Sequence, residues 1–263
     1  MSLETLRGHC RTLRLPTVAA VLGDTLALAQ REEWSLETLL LHLLEQELEG
    51  RGDRRIARSL KAAHLPVGKT LETFSLQRLP LRLRRQLTPL AEGEFIARGD
   101  NVLIFGAPGT GKTHLAAALG YAWIQRNHSV LFTPTYQLVG ALLRAKRDYE
   151  LERELRRLDR FEVVILDDLG YVQQSREEME VLFTFLAERY ERRSVVITSN
   201  LVFSEWDQIF KNPLTTAAAI DRVVHHSLII ELGKDVKSVR AEEAARRNGI
   251  VLAADSAAQI AEG

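Results

Sequence analysis

The sequence predicts an α/β chain, a parallel sheet with helices on both faces, preceded by a small all-α domain. Three observations carry this. A strand-like run, Asn101-Val-Leu-Ile-Phe105, leads into a glycine-rich loop and then an alanine-rich helical run. Apolar strand patterns recur at Val130-Leu-Phe132, Phe161–Leu166, Val195-Val-Ile197 and Leu228-Ile-Ile-Glu231, with helical stretches between them, and such alternation implies parallel strands with crossover helices. Residues 1–65, by contrast, show helical spacing only.

In chain order, Leu15, Val18, Ala19, Leu22 and Leu26 recur on one helical face, with Pro16 suited to a first turn. Leu36, Leu39, Leu40, Leu43 and Leu44 form a second stripe, which Ser35 can cap. The stripes are expected to form the core of the helical domain, with a partner-binding groove as the alternative. Pro66, Gly68 and Pro80 mark residues 66–100 as a linker and the start of the next domain. From Asn101 to residue 247 the strand–helix alternation holds. Helices are expected at His114–Trp123, Gln137–Arg160, from the capping box Ser175-Arg-Glu-Glu178 to about Tyr190, after Ser204, and at about Leu214–His226. Residues 248–263, rich in alanine, read as a disordered tail.

The loop after the first strand reads Gly106-Ala107-Pro108-Gly109-Thr110-Gly111-Lys112-Thr113. Glycines at this spacing let the backbone N–H groups turn toward phosphate oxygens, and the following helix adds its positive end. Lys112 is then placed to reach the outer phosphates of ATP, and Thr113 to hold Mg2+. The strand Val163–Leu166 ends in Asp167-Asp168, the form of a second nucleotide motif. Asp167 would hold the magnesium through water, and Asp168 would orient and deprotonate the attacking water. Aspartate is one methylene shorter than the glutamate common at this second position. Asn200 ends the next strand, where it can bond the attacking water or the γ-phosphate, or simply cap a turn. Arg222 precedes the last strand. It is suited to stabilising the transferring phosphoryl group of a neighbouring subunit, with a surface ion pair to Asp221 as the alternative.

Composition narrows the partners. The 263 residues carry zero formal net charge, so any nucleic-acid site must come from local asymmetry. Residues 1–50 hold 4 Lys/Arg against 8 Asp/Glu, whereas residues 51–90 hold 10 against 2. The basic cluster, with Arg54, Arg55, Arg58 and Lys61, favours a polyanion, and Arg144, Lys146 and Arg147 add a second basic group further on. Several arginines of the charged helical run, Arg153, Arg156 and Arg157, have acids at helical spacing and read partly as surface pairs. Cys10 is the only cysteine, which excludes an internal disulfide and a cysteine-based zinc cluster. No apolar run reaches membrane-span length and no signal-peptide pattern opens the chain, so a cytoplasmic protein is expected.

Several motifs now line up: Gly106–Ala116, Leu166-Asp-Asp-Leu-Gly-Tyr171, Leu182-Phe183 with Arg189-Tyr-Glu191, Thr198-Ser-Asn-Leu201, Ser204-Glu-Trp206, and Asp221-Arg222 with His225-His226. Together they resemble the IstB-like ATPases, AAA+ helper proteins encoded by insertion sequences beside their transposase. The resemblance runs from about residue 10 to 232. It implies an AAA+ fold with a five-stranded parallel sheet of order 5-1-4-3-2, which sets Asn200 between the two nucleotide motifs. It also implies nucleotide contacts from Gly106 through His114, and a place near the adenine for Lys69–Phe74. It implies assembly as a homo-oligomeric ring or spiral on duplex DNA, and recruitment and stimulation of a partner transposase. The chain departs from the family at Gly233-Lys-Asp-Val-Lys-Ser238-Val-Arg240, where the family tends to have Gly-Asp-Ser-Tyr-Arg. DnaC-type helicase loaders share the ATPase core, so helicase loading is the alternative function. A small-molecule kinase would leave Asp221-Arg222 and the basic cluster without a role.

Overall fold

A computed structural model describes residues 2–170, 175–201, 206 and 223–233, apart from the side chain of Arg78. The chain divides into two compact units, Met1–Lys61 and Ala62–Gly263.

In the first unit, helix α1 (Leu3–Thr12) is capped by Ser2, and α2 (Pro16–Arg31) begins on its proline. Helix α3 spans Leu36–Ala63, with Ser35 accepting from Thr38 N at 3.2 Å as the expected cap. Val18, Leu22 and Leu43 form the buried cluster, with Leu6, Leu15, Leu26 and Leu39 packed against it. The second leucine stripe is therefore only partly core. Leu39 and Leu43 pack inward, whereas Leu36, Leu40, Leu41, Leu44 and Leu48 are exposed among the described residues. The leucines recur too densely around α3 for one contact edge to cover them all. Buried Glu47 stitches this unit together. It accepts from Thr17 N and Val18 N, two of the orphan donors at the start of α2, and from Arg51 and Arg54. Burial pushes the Glu47 carboxyl up, but the hydrogen bonds from Arg51, Val18 and Thr17 and the Arg51 charge outweigh it and hold the group below its ordinary range.

In the second unit, the stretch expected as a linker carries α4 (Leu81–Glu92) and α5 (Glu94–Arg98). Leu87, Leu90, Phe95 and Ile96 are buried, and the Trp123 indole donates to Leu90 O at 2.8 Å. Five strands follow: β1 (Asn101–Gly106), β2 (Val130–Pro134), β3 (Val163–Leu169), β4 (Ser194–Ser199) and β5 (Ser227–Leu232). All pairs are parallel, in the order β2-β3-β4-β1-β5, which is the expected 5-1-4-3-2 read from the other edge. Among the described residues, the helices between these strands are α6 (Lys112–Gln125), α7 (Thr135–Arg147), α8 (Leu151–Leu158) and α9 (Arg176–Arg189). Ser175 and Glu178 form the expected capping box on α9.

One helix was expected over Gln137–Arg160, but two are present. Tyr149 adopts a left-handed backbone (φ 58°), and the N–H groups of Asp148, Tyr149 and Glu150 close the end of α7 onto Arg144, Lys146 and Ala145 carbonyls. No glycine or proline marks this break, and the Glu/Arg spacing runs straight through it. Ser204, most of the Leu214–His226 stretch and the 248–263 tail lie outside the described residues.

The start of the sheet is held by buried polar side chains. Asn101 receives Val195 N at 2.9 Å and donates to Val223 O at 3.2 Å. Arg189, 2 % exposed, donates to the carbonyls of Leu158, Phe161, Glu162 and Ser194. Burial pushes its guanidinium down to about 10, so it stays charged at neutral pH, with Phe185 5.6 Å beneath it. Side chains that bond the backbones of β3 and β4 in this way fix the spacing of the two strands whose other ends carry the nucleotide motifs.

Candidate nucleotide-binding site

Strands β1, β4 and β3 are adjacent, so their C-terminal ends bring Gly106, Ser199-Asn200 and Asp167-Asp168 to one edge of the sheet. This is where ligands sit in open parallel sheets. The loop Gly106–Gly111 joins β1 to α6, whose first residues are Lys112, Thr113 and His114. Two glycines are required by space. A Cβ on Gly106 would lie 2.7 Å from Leu232 O and 2.8 Å from Thr110 Oγ1. Gly111 has φ 96°, and a Cβ there would meet the Phe74 ring at 3.2 Å. Thr110 Oγ1 donates to Ala107 O at 2.8 Å, bracing the loop across Pro108 and Gly109.

Lys112 is buried, and its Nζ donates to Gly106 O at 2.7 Å and Ala107 O at 3.0 Å. Its charge is thereby held under the loop, where phosphate oxygens would replace carbonyls as acceptors. Phe74 packs edge-on against His114, ring centroids 5.3 Å apart, and Thr73 Oγ1 lies 3.1 Å from His114 Nε2. Thr70 and Thr73 bond His114 while Phe74 lies over Gly111, so the Lys69–Phe74 stretch covers the loop and the first turn of α6. Burial pushes the His114 imidazole down, outweighing the raising effect of its bond to Thr70 O, and the Lys69 charge adds to the lowering.

Across the sheet edge, Asp167 is half-buried and Asp168 exposed. They occupy a bulge: Leu166 pairs with Ile197 and Leu169 with Ser199, so both acids stand opposite Thr198 alone. Asp168 accordingly takes a left-handed backbone, φ 65°. Thr198, 1 % exposed, serves both acids. Its hydroxyl donates to Asp167 Oδ1 at 2.7 Å and accepts from Asp168 N at 2.8 Å. Ser199 Oγ bonds Leu169 O and accepts from Leu201 N, closing the turn around Asn200. Thr135 Oγ1 donates to Asp167 O at 3.0 Å. Sequence reasoning assigned Asn200 but missed Thr198, Ser199 and Thr135. A polar trio ending a buried strand was the available signal, because buried hydroxyls must find partners.

Asn200 Oδ1 is buried and has no hydrogen-bond partner among the described residues. A lone buried acceptor beside two carboxylates is completed by a donor such as a bound water. The residues present therefore fit a magnesium nucleotide: the lysine and backbone donors meet phosphate, Thr113 and Asp167 offer oxygen to a hard cation, and Asn200 accepts from water. Arg222, Asp221 and Arg240 lie outside the described residues.

The basic candidates fall into two groups. Arg54, Arg55, Arg58 and Lys61 are exposed on α3 at roughly helical spacing. Arg54 is committed to Glu47 at 3.1 Å and Thr17 Oγ1 at 2.8 Å, so it holds the helical unit together. On α7, Arg144 and Arg147 are exposed, whereas Lys146 pairs with Glu180 at 2.9 Å. Arg153, Arg156 and Arg157 pair with Glu150, Glu152 and Glu154, as their spacing suggested.

The strand order, the phosphate loop and the acid pair at the neighbouring strand end define an AAA+ P-loop nucleotide-binding protein. The model of the family described as IstB-like ATP binding protein matches residues 8–245, and the chain belongs to that family. It is 45 % identical over 241 residues to an insertion sequence ATP-binding protein of Sinorhizobium fredii, covering 90 % of this chain and 80 % of the relative. It is 39 % identical over 204 residues to an ATP-binding protein of insertion sequence IS21 from Pseudomonas aeruginosa, covering 78 % and 77 %. Among solved structures, the DnaC helicase loader aligns with TM-score 0.52 at 19 % identity, over 66 % of this chain and 98 % of that one. DnaA from Aquifex aeolicus, bound to AMPPCP, aligns with TM-score 0.54 at 18 % identity, over 73 % and 59 %. These structural likenesses are of fold. No helix among the described residues is long and apolar enough to cross a membrane.

Proposed function

We propose that the chain binds and hydrolyses Mg2+-ATP, assembles as a homo-oligomer on duplex DNA in the cytoplasm, and recruits and stimulates a partner transposase. The observation that carries the catalytic part is the arrangement of Thr198, Asp167, Asp168 and Asn200 beside the phosphate loop. Membership of the family supports the rest, since its relatives are named as insertion sequence proteins.

The roles follow from chemistry. The backbone of Gly106–Gly111 and Lys112 bind and neutralise the outer phosphates. Magnesium, when bound by Thr113 and Asp167, neutralises charge that develops on the phosphate oxygens. Asn200 Oδ1 accepts from the attacking water, and Asp168 takes its proton. Thr198 holds both acids in place without touching the reacting atoms. Arg222 from a neighbouring subunit stabilises the transferring group. Arg54, Arg55, Arg58, Lys61, Arg144, Lys146 and Arg147 meet DNA phosphates.

Asp168→Asn tests the core of this. It is expected to keep ATP affinity, lose hydrolysis and accumulate an ATP-bound assembly on DNA. Hydrolysis at the parental rate would overturn the assignment of Asp168. Mixing Asp168→Asn with Arg222→Ala tests the shared site. Interfaces pairing an intact Asp168 with an intact neighbouring Arg222 are expected to regain activity, and no recovery in mixtures shown to co-assemble on DNA would mean that Arg222 acts elsewhere. DNA affinity is expected to fall about a thousandfold between about 50 and 200 mM salt if about six phosphates are neutralised, whereas a flat response would remove the electrostatic contacts.

A further inference from the structure

The end of the sheet away from the nucleotide motifs carries a second group of chemistry-bearing side chains. Glu191 follows α9, and His225-His226 precede β5. One donor atom from each of the three lies within 4.8 Å of the others. His226 Nε2 is 3.5 Å from Glu191 Oε1, and the two imidazole rings are 4.2 Å apart. Tyr190 OH lies 3.2 Å from His225 Nδ1. From this geometry we infer a binding site for one divalent transition-metal ion of borderline softness, such as Zn2+, held by Glu191, His225 and His226.

The backbone that carries these donors is fixed before any ion arrives. Glu191 sits in a left-handed turn, φ 55°, closed by Arg192 N and Arg193 N on Arg189 O. That turn packs so closely on Gly99 that a Cβ there would stand 3.1 Å from the Glu191 carbonyl carbon. His226 O accepts from Asn101 N at 2.7 Å, and the Asn101 side chain holds Val223 O, so the turn into β5 is pinned on both sides of the histidines. The three side chains themselves are exposed. Ligand atoms on a tetrahedral zinc stand about 3.3 Å apart, so side-chain rotations alone close the gap. Two imidazoles and one carboxylate suit zinc, cobalt or nickel, and suit magnesium or calcium poorly because those ions take all-oxygen shells. Tyr190 fills the outer-shell place, orienting a ligand imidazole through its other nitrogen. Three protein ligands leave a fourth position for water or for a donor from another chain.

An ion here ties the end of α9 to the turn leading into β5.

The test titrates the chelator-stripped full chain with Zn2+ alone, without nucleotide, by calorimetry. Co2+ absorption then reports the geometry. The chain is expected to bind one equivalent that the double variant His225→Asn/His226→Asn lacks. Tyr190→Phe is expected to keep that equivalent but weaken it about 10–100-fold. ATP binding, measured in parallel, is expected to be unchanged in all variants, which confirms folding and separates this test from that of the nucleotide site. Equal stoichiometry and affinity in the parent and the double variant would overturn the site.

Discussion

The two ends of the sheet use polar side chains differently. At the start of the strands, Asn101 and Arg189 bond mainly backbone, and Glu162 divides its bonds between backbone and side chains. Arg189 alone holds four carbonyls, and Glu162 accepts from Ser129 N and the Ser129 hydroxyl and pairs with His128. At the far end, Thr198 and Ser199 likewise bond backbone. Asp168 is exposed in a bulge, and Asn200 Oδ1 is buried without a partner among the described residues. The start of the strands is the more closed end, bound up largely in backbone, although Arg189 Nε and Ser194 Oγ are buried there without a partner among the described residues. The far end instead gathers the phosphate loop, the two carboxylates with left-handed Asp168, and the lone Asn200 acceptor.

If that division is right, substitutions at the two ends fail differently. The largest effect is expected from Lys112→Ala, which removes the charge beneath the phosphate loop. ATP affinity should drop by at least about 100-fold, as for loss of a charge-assisted phosphate contact, while the melting temperature without nucleotide changes little. Unchanged ATP affinity would break the assignment. Arg189→Leu at the closed end should do the reverse. It removes the side-chain donor from four carbonyls, of which Leu158 O and Glu162 O keep a backbone partner, and should cost about 2–4 kcal/mol of stability, with near-parental ATP affinity in the protein that remains folded. Thermal or denaturant melts read this, and an unchanged melt would mean the strands need no such clamp.

A smaller effect is expected from pH. Burial pushes Glu162 up, but hydrogen bonds from Ser129 N, His128 and the Ser129 hydroxyl, with the His128 charge, outweigh it and hold its carboxyl below the ordinary value of 4.5. A depressed folded value means that this contribution is present above about pH 4.5 and is lost as pH falls through the folded value. Glu162→Gln should therefore be less stable at neutral pH and show a shallower acid loss of stability. The same slope in parent and variant would remove Glu162 from the closed end.

Legibility in the sequence divides along a similar line. The phosphate loop could be read because its constraints are local: glycine at Gly106 and Gly111 for space, then lysine and threonine at fixed offsets. The strands could be read because five apolar runs are separated by helical stretches, and the order of those strands came from the resemblance. The clamps could not. Asn101 meets Val195 and Val223 across more than ninety residues, and Thr198 meets Asp167 and Asp168 across about thirty, so neither pairing leaves a spacing to recognise. Arg189 was visible within a motif, yet nothing in its neighbours shows that it turns inward onto four carbonyls. Tyr149 broke a helix whose charge pattern continued through it, because a left-handed residue other than glycine has no reliable sequence mark.

The most direct measurement concerns Thr198, a buried residue whose hydroxyl bonds both acids. ATP binding and single-turnover hydrolysis are compared in the parent, Thr198→Ser and Thr198→Val. Serine keeps the hydroxyl that donates to Asp167 and accepts from Asp168 N, and valine keeps the shape without it. The expected result is ATP affinity within a few-fold in all three and parental hydrolysis in the serine variant. In the valine variant, hydrolysis should fall about 10–100-fold, as for loss of a residue that orients the metal's ligand. Hydrolysis by Thr198→Val at the parental rate, with the protein folded and ATP bound, would contradict an active site organised at this end of the sheet by Thr198.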